Sequence, residues 1–546
     1  MRNKLLLLII LLGLIPLLDL FHPGLPVTHD GQDHVARIAN FYQNLSEGNI
    51  IPRWAGNLNW GFGHPILEFL YPLPSYIASL FHFLGFSLVD SVKVVFGLTF
   101  ILSGVFMYLW LREFLGEIPG AFGGLLYMLA PYRFVDLYVR GAIGEHMAFV
   151  FLPLILFFIL KLSKEKFSPF LIVGGALSIA GLILSHNAIS LMFFPIIFLY
   201  AMYLIWQSKN KKLVAISYVL IAILAFGVAS FFWIPAFFEG KYTLRDIVTR
   251  GEYSGRFVEF GRFIYGEWNY GITGQFSTQV GILHWIFVVL SLPVILLLYK
   301  KRNSLWILAL GSFIFFVFTL FLMTSSSLFI WEKLSILQKF QFPWRFLSIT
   351  VFITSLLGGI VLAFTKKVNL ISFILLSLIL ISINKNYWNA NGYLIKPENF
   401  YKGIYNSTTD TGESSPVWSI RFMEKRAKNN MEVISGRVSI KTIQRTNTSH
   451  TYEVKALERS RILENTLYFP GWNVFVDDKK FPVEFQDPRY RGLMTFYVDK
   501  GEHQINIIFK ETKLRAFADT VSVVSLGNII GLLAMGILSK KTRKII

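Results

Sequence analysis

Long apolar runs, separated by short polar connections, recur along most of the chain. A run of about 20 apolar residues is the length that crosses a bilayer as an α-helix. With 54% hydrophobic residues, against about 45–50% in soluble domains, the chain is predicted to be an α-helical polytopic membrane protein. About twelve spans are predicted, at 4–22, 91–111, 118–134, 145–161, 168–185, 188–206, 213–235, 280–299, 304–323, 346–364, 369–384 and 517–538.

Basic residues mark every second connection between these spans. Such residues accumulate on the cytoplasmic side, so the pattern predicts a multi-pass plasma-membrane protein with both termini in the cytoplasm. The same bias accounts for the net charge of +19, and binding of nucleic acid is not expected. The residues concerned are Arg2, Lys4, Arg112, Lys161, Lys164, Lys166, Lys209, Lys211, Lys212, Lys300, Lys301, Arg302, Lys366, Lys367, Lys540, Lys541, Arg543 and Lys544.

One further apolar stretch, residues 65–85, is excluded from the spans. Counting it would invert every later connection and place the lysines outside. The stretch contains two prolines, a glutamate and a histidine, which fits a helix lying in the membrane interface better than a span.

The last third of the chain changes pattern. From Met431, short runs such as RVSIKTIQ, TYEVKALE and HQINIIFK alternate apolar and polar residues and are separated by turn residues, as in β-strands. We therefore predict three regions: a transmembrane domain at 1–384 with an outer loop at 23–90, an extracytoplasmic antiparallel β-sandwich at 385–515, and a last span with a basic tail at 516–546. The sequence contains no cysteine, which excludes disulfides and thiol catalysis.

The chemically varied residues lie on the predicted outer side. The stretch VTHDGQDHVARI, residues 27–38, follows the first span directly. A helix over 31–45 would place His34 and Arg37 on the same face as Asp30 and would point Asp33 elsewhere. Aspartate is also a common helix N-cap, so Asp30 has a structural interpretation besides a chemical one.

A second polar group lies between the third and fourth spans, where an unpaired charge near lipid is costly. Asp136 and Arg140 are four residues apart and could simply pair, and Glu145 could favour a helix N-terminus. His146 follows directly.

Four arginines are candidates for binding phosphate, because guanidinium binds phosphate oxygens in a bidentate manner. They are Arg53, Arg133, Arg140 and Arg345. The alternative is an interfacial arginine whose side chain reaches toward the membrane surface. His186 and Asn187 end a span, where they could bind a ligand or complete helix-end hydrogen bonds.

Six motifs together resemble the GT-C glycosyltransferases, polytopic enzymes that take a sugar from a polyprenyl-phosphate carrier. Within that superfamily the chain resembles the bacterial and archaeal membrane proteins called 6-pyruvoyl-tetrahydropterin synthase-related. The motifs are HDGQDHVARI (29–38), GNIIPRW (48–54), GFGHPILEFLYPLP (61–74), YRFVDLYVRGAIGE (132–145), LSHN (184–187) and QFPWRF (341–346).

This resemblance implies a GT-C-like fold that transfers a hexosyl or pentosyl group to a glycan, lipid or protein acceptor at the outer membrane face. Asp30 matches the position of the catalytic carboxylate, with His34 and Glu145 as catalytic partners. A divalent cation, Mg²⁺ or Mn²⁺, held by Asp30 and Glu145 is left open, because members of the superfamily differ on this point. The substrate-binding residues implied are Arg37, Arg53, Arg133, Asp136, Arg140, His146, His186, Asn187 and Arg345.

Two other functions compete with this one: a transporter or lipid flippase, and a non-catalytic envelope assembly factor. Transporters bury their charged residues near the membrane midplane, often in two repeated halves. In this chain the charges gather at one predicted face and no repeat is visible, which favours the enzyme.

Overall fold

The computed structural model describes residues 2–164, 167–271, 275–365 and 370–545. Within these residues, ten helices are long and apolar enough to cross a membrane. This confirms the polytopic helical fold, and ten of the roughly twelve predicted spans have this length. The ten are Asn3–Phe21, Leu88–Leu115, Ile143–Lys164, Asn187–Gln207, Lys211–Val228, Ile282–Lys300, Leu305–Met323, Pro343–Thr365, Leu370–Tyr387 and Lys513–Leu538.

The two remaining predicted spans correspond to shorter helices. Pro169–Ser185 has 17 residues and Glu117–Met128 has 12, and the latter rises only about 18 Å, against roughly 30 Å of hydrocarbon. It ends early because the chain leaves the α-helix for a short helix at Pro131–Phe134 and a π-helical turn at Val135–Arg140.

The apolar stretch 65–85 forms two short helices, Ile66–Phe69 and Leu73–Phe83. The longer rises about 16 Å, too little to span, in agreement with its exclusion from the spans. The remaining helices are Gly31–Ser46, Ser230–Phe238, Arg245–Val248, Gly261–Ile264, Leu328–Lys333, Ser335–Gln338 and Glu398–Lys402, with 3₁₀ turns at Asn59–Gly61, Glu239–Tyr242, Ser325–Ser327 and Pro488–Tyr490.

Ten strands are described, and the predicted antiparallel β-domain is confirmed. They are β1 (Leu25–Pro26), β2 (Tyr393–Leu394), β3 (Met431–Ser435), β4 (Val438–Arg445), β5 (Ser449–Ala456), β6 (Ser460–Leu467), β7 (Trp472–Val476), β8 (Lys479–Phe481), β9 (Leu493–Val498) and β10 (Gly501–Phe509). One sheet has the order β4-β5-β10-β7-β8 and the other has β3-β6-β9, with all pairs antiparallel. Their apolar faces share one core that includes Tyr452, Ile462, Phe496 and Ile505.

The β-domain does not stand apart from the 23–90 loop. Trp54, Phe62 and Phe69 of that loop are part of the β-domain core, and the Trp54 ring lies 5.5 Å from the Trp472 ring, centroid to centroid. Strand β1 of the loop also pairs with β2. The loop and the β-domain therefore lie at the same end of the helical bundle.

Only some of the basic residues between the predicted spans lie within the described part of the chain. Lys166, Lys366 and Lys367 lie outside the described residues, as do the side chains of Arg2, Lys540, Lys541, Arg543 and Lys544. The orientation of the chain in the membrane therefore stays a prediction.

Candidate active site

The predicted helix after the first span runs from Gly31 to Ser46, and Asp30 occupies its N-cap position. Its carboxylate forms no capping hydrogen bond. The hydroxyl of Thr28 instead accepts from the backbone N–H of Gly31, with 3.1 Å between Oγ1 and N. Asp30 is exposed, and we find no hydrogen bond or ion pair from its carboxylate to any residue that the structure describes. The capping interpretation of Asp30 is therefore not supported by the geometry.

A second segment fixes Asp30 in place through the backbone. The N–H of His29 donates to the carbonyl of Val139 (N to O, 3.0 Å), and the N–H of Asp30 donates to the carbonyl of Arg140 (2.9 Å). Gly141 follows with φ of +66°, and a Cβ there would lie 2.3 Å from Thr28 Oγ1, so only glycine fits. Two segments far apart in sequence thus meet at Asp30.

Arg140 lies at the centre of a buried network on this second segment. Its guanidinium Nη1 donates to Asp136, to Glu145 (Nη1 to Oε2, 2.8 Å) and to the hydroxyl of Tyr132 (3.2 Å). Tyr132 donates to the other oxygen of Glu145, Oη to Oε1, at 2.6 Å. The predicted pairing of Asp136 with Arg140 is present, and it is one part of a larger network.

Arg345 approaches the same network from the start of the span Pro343–Thr365. Its Nε lies 3.6 Å from Glu145 Oε2, and its Nη1 donates to the carbonyl of Phe340 at 2.9 Å. Both oxygens of the fully buried Glu145 are therefore occupied by Tyr132, Arg140 and Arg345. This favours a positioning role for Glu145 over a catalytic or metal-binding one.

Aromatic rings line the wall behind these arginines. The Arg140 guanidinium carbon lies 4.6 Å from the centroid of the Trp344 ring, and that of Arg345 lies 5.1 Å from the Phe342 ring. Phe276 packs edge-on against Trp344, with 5.0 Å between centroids. Stacked guanidinium groups keep their charge and a fixed plane, so donor groups remain ordered at this wall.

The helix of Asp30 supplies two more of the predicted residues. Arg37 donates from Nη1 to His34 Nδ1 at 3.0 Å and from Nε to Thr409 Oγ1 at 3.2 Å. Burial, followed by the charge of Arg37, lowers the pKa of His34 well below its ordinary value. His34 is therefore neutral and accepts from Arg37, which makes it an orienting group for that arginine.

His186 and Asn187 reach this region from the next pair of helices. His186 caps the helix that begins at Asn187 by accepting from Ile189 N–H (Nδ1 to N, 3.3 Å), and its ring stacks on Tyr71 at 4.9 Å between centroids. Asn187 donates to the carbonyl of Phe69 (Nδ2 to O, 2.9 Å). The helix-end interpretation therefore fits His186, whereas Asn187 binds the 23–90 loop.

Tyr71 is a residue of this region that the sequence reasoning missed, although the YPLP stretch that begins with it carried part of the resemblance. Its ring lies directly over Gly144, where a Cβ would come within 2.2 Å of it. Burial raises the pKa of the Tyr71 phenol to about 12, with Arg37 opposing and Asp30 adding to that rise. The hydroxyl thus keeps its proton and is a hydrogen-bond donor at neutral pH.

The surroundings of Asp30 set its protonation. Burial raises the pKa of its carboxyl above the ordinary 3.8, and the charges of Arg140, Arg37, His29 and Arg345 oppose that rise in this order. An exposed carboxylate that is nevertheless crowded by protein lies in a recess. We call this the Asp30 recess; it is surrounded by Asp30, Arg37, Arg140, Arg345, Tyr71 and His186.

Three predicted substrate-binding residues are engaged elsewhere. Arg53 binds Glu511 (Nε to Oε1, 3.0 Å) and Asp519 (Nη2 to Oδ1, 2.7 Å), which ties the 23–90 loop to the last span. Arg133 is fully buried, stacks 4.0 Å above the Phe149 ring and contacts His146. His146 itself stacks on Phe100.

The residues at the recess do not fit a resident divalent cation. Among the described residues no group of three or more His, Asp or Glu side chains could hold a metal ion. The two candidate ligands also have the wrong surroundings: Asp30 faces three arginines, and Glu145 is paired with two of them. We therefore derive no chemistry from a metal.

Residues 67–389 match the sequence model of the family described as 6-pyruvoyl-tetrahydropterin synthase related domain, membrane protein. The chain belongs to this family. The matched region includes the Arg140 network, Tyr71, His186 and Arg345, whereas Asp30 precedes it.

Two kinds of individual protein are also similar. An uncharacterised protein of Lactococcus lactis subsp. cremoris (strain MG1363) is 26% identical over 345 residues, which cover 60% of this chain and 51% of that protein. The chain thus spans about half the length of that relative. Two cryo-EM structures of the arabinofuranosyltransferase AftD from mycobacteria, one of them a mutant, give TM-scores of 0.46 and 0.43 at 13% and 14% identity. They cover 73% and 71% of this chain, which spans 29% and 27% of those chains.

Proposed function

We propose that this protein is a GT-C-type membrane glycosyltransferase that moves a sugar from a polyprenyl-phosphate donor to an acceptor at the outer membrane face. The observation that carries the proposal is Asp30, an exposed residue whose carboxylate is unpaired among the described residues, in a recess that also contains Arg140 and Arg345. A transferase needs these two elements, a base and fixed positive charge, in one place.

Asp30 would act as the general base. It would accept the proton of an acceptor hydroxyl as that oxygen attacks the anomeric carbon of the donor sugar. The bond from that carbon to the phosphate oxygen breaks, and the phosphate leaves with the bonding electrons. Because burial raises the pKa of Asp30, its carboxylate is a stronger base than an ordinary aspartate.

The arginines would stabilise the departing phosphate. Guanidinium groups form paired, charge-assisted hydrogen bonds to phosphate oxygens. Arg345 and Arg140 are held by Glu145 and by aromatic rings before any substrate binds, so little reorganisation is needed. In this scheme Glu145 and Asp136 position the arginines, and His34 positions Arg37.

The position of the recess near three span ends supports a lipid-linked donor. Asp30 follows the end of the span Asn3–Phe21, and Glu145 and Arg345 lie at the starts of Ile143–Lys164 and Pro343–Thr365. These span ends meet at one surface of the helical bundle. A carrier with its chain in the bilayer would place its phosphate at that level, and Tyr71 and His186 would contact the sugar.

The test uses the full-length protein in proteoliposomes with radiolabelled hexosyl and pentosyl polyprenyl phosphates. We expect one of these donors to lose its sugar to an added glycan or slowly to water, with release of polyprenyl phosphate. Movement of the intact donor across the bilayer without cleavage would establish the flippase instead. Binding of neither donor would contradict the proposal.

A further inference from the structure

A second polar cavity lies away from the Asp30 recess, between the 23–90 loop and the β-domain. Its volume is about 220 Å³. Its wall includes Gln43, Asn57, Arg426, Arg445, Asn447 and His450. Three parts of the chain build it, so it exists only in the assembled fold.

The floor of this cavity is held rigid by a buried ion network of the β-domain. Arg445 donates from Nη1 to Glu464 Oε1 (2.6 Å) and from Nη2 to Thr466 Oγ1 (3.0 Å). His450 Nδ1 lies 2.9 Å from the same fully buried Glu464. The donors at the floor are therefore fixed before any ligand enters.

The loop side of the wall is fixed as well. Asn447 is held by Glu47 and accepts from Gly56 N–H (Oδ1 to N, 2.8 Å), and Asn57 donates to Gln43 (Nδ2 to Oε1, 2.9 Å). The turn beside it passes through Asn59 and Trp60, both with positive φ (54° and 63°). Strained backbone of this kind persists where the surrounding structure maintains a particular shape.

The charge of the wall is one-sided. It contains the guanidinium groups of Arg426 and Arg445, and no Asp or Glu of the described residues lines the cavity. Arg445 is neutralised by Glu464, whereas the exposed side chain of Arg426 has no hydrogen bond or ion pair to the described part of the chain. One positive charge therefore faces a ligand in this cavity.

We propose that this cavity binds a saccharide unit that carries one anionic substituent, a carboxylate or phosphate contacted by Arg426. Amide and guanidinium groups suit the many hydroxyls of a sugar, and the exposed lining residue Ile404 supplies an apolar surface for its C–H groups. The volume is below the roughly 300–1,000 Å³ of pockets for drug-sized ligands, which limits the ligand to a short unit.

The distance between this cavity and the Asp30 recess indicates which substrate contains the bound saccharide. Gln43 at the cavity and Asp30 at the recess lie on the same helix, thirteen residues or about 20 Å apart. On the proposed function, a site at this distance would hold an acceptor glycan several sugar units from its reacting end. This second step rests on the transferase proposal, whereas saccharide binding itself does not.

Binding is measured on full-length protein in detergent without any donor, by calorimetry with uronic-acid tetrasaccharides (galacturonan and hyaluronan) and neutral maltotetraose. We expect a uronic-acid probe to bind more tightly than maltotetraose. Arg426→Gln should weaken that probe roughly tenfold, the worth of one charged hydrogen bond, and leave maltotetraose unchanged. Arg437→Gln, an exposed arginine of the same domain outside the cavity, is the matched control and should change neither.

A blocking variant tests the cavity itself. Asn430 is an exposed lining residue, so Asn430→Trp should fill the mouth without disturbing the core and should abolish binding of every probe. Unchanged binding in Asn430→Trp, or equal affinity of wild-type protein for uronic-acid and neutral probes, would overturn the proposal.

Transfer assays then separate the two proposals. Asn430→Trp should slow transfer to long acceptors and spare acceptors too short to span about 20 Å. Equal slowing on both would overturn the acceptor role. Saccharide binding in a protein that never cleaves a lipid-linked donor would contradict the transferase and leave the saccharide site standing.

Discussion

The backbone N–H of Asp30 donates to the backbone carbonyl of Arg140 at 2.9 Å. This bond places Asp30 beside Arg140. The Asp30 carboxylate has no partner among the described residues, whereas Arg140 forms ion pairs with the buried carboxylates of Asp136 and Glu145. Asp136 and Glu145 thus hold the arginine in place, whereas Asp30 has no partner among the described residues and is the proposed base.

We predict that Thr28, and not Asp30, stabilises the N-terminus of the helix Gly31–Ser46. Thr28→Val keeps the shape of the side chain and removes the acceptor for Gly31 N–H. We expect the free energy of unfolding to fall by about 1 kcal/mol, the usual value of an N-cap. Thermal denaturation in detergent measures this. A loss as large in Asp30→Asn as in Thr28→Val would contradict the division of roles.

Arg345 is predicted to contact the donor phosphate. Lysine keeps the charge and loses the planar pair of donors, so Arg345→Lys should weaken donor binding by roughly tenfold. Arg53→Lys is the control, because Arg53 binds Glu511 and Asp519 instead and should affect stability alone. Titration of both variants with a polyprenyl-phosphate sugar distinguishes them. Unchanged binding in Arg345→Lys would leave Arg345 as an interfacial residue.

The topology gives a third prediction. The pairing of β1 with β2 requires residues 25–26 and 393–394 to lie on one side of the membrane, and the lysine pattern predicts that this is the outer side. A periplasmic-type reporter fused after Asn389 should be active, and one fused after Lys212 should be inactive. The opposite result would reverse the predicted orientation.

Much of the architecture could be predicted from the sequence. Apolar runs identify most spans, because in lipid the backbone N–H and C=O groups must form their hydrogen bonds within one helix. Alternating apolar and polar residues identify the strands of the two sheets. The helix predicted at 31–45 is present at Gly31–Ser46. Asp30 and Arg37 come from one motif and Arg140, His186 and Arg345 from three others, and the fold brings all five to one recess.

Other features depend on contacts that no local pattern encodes. No pattern in the sequence singles out Tyr71 or Tyr132. Only the packing of Tyr71 over Gly144 and the hydrogen bond of Tyr132 to Glu145 distinguish them. The sequence also predicts residues 385–515 as a domain distinct from the 23–90 loop, yet Trp54 of that loop is part of the β-domain core. A boundary at residue 385 therefore does not separate two independent cores.

The pH dependence of transfer is predicted from the charges around Asp30. Its carboxyl must be ionised to accept a proton, and its pKa is raised by burial, so kcat/KM should fall as pH drops through a value above 3.8. Arg345 lowers this pKa, so Arg345→Gln should move the acid limb to higher pH, whereas Arg345→Lys should leave it in place. An acid limb that disappears in His34→Gln would instead identify His34 as the base.

Asp30→Asn is the decisive substitution. Asparagine keeps the size of the side chain and the backbone bond to Arg140 but cannot accept the proton. Because the Asp30 carboxylate caps nothing, the variant should insert, fold and bind donor as the wild-type protein does. Transfer should fall by roughly 10²–10⁴-fold, the usual contribution of a general base.

Asp33→Asn is the matched control, three residues further along the same helix. Its carboxylate accepts from the hydroxyl of Tyr405, Oη to Oδ1, at 3.1 Å, and an asparagine carbonyl can accept the same bond. The rate of transfer in Asp33→Asn should stay within a few-fold of wild type. The loss expected in Asp30→Asn comes from the missing proton acceptor and not from the removal of a negative charge in this region. A silent Asp30→Asn beside an inactive Asp33→Asn would move the base to Asp33 and overturn the assignment of the recess.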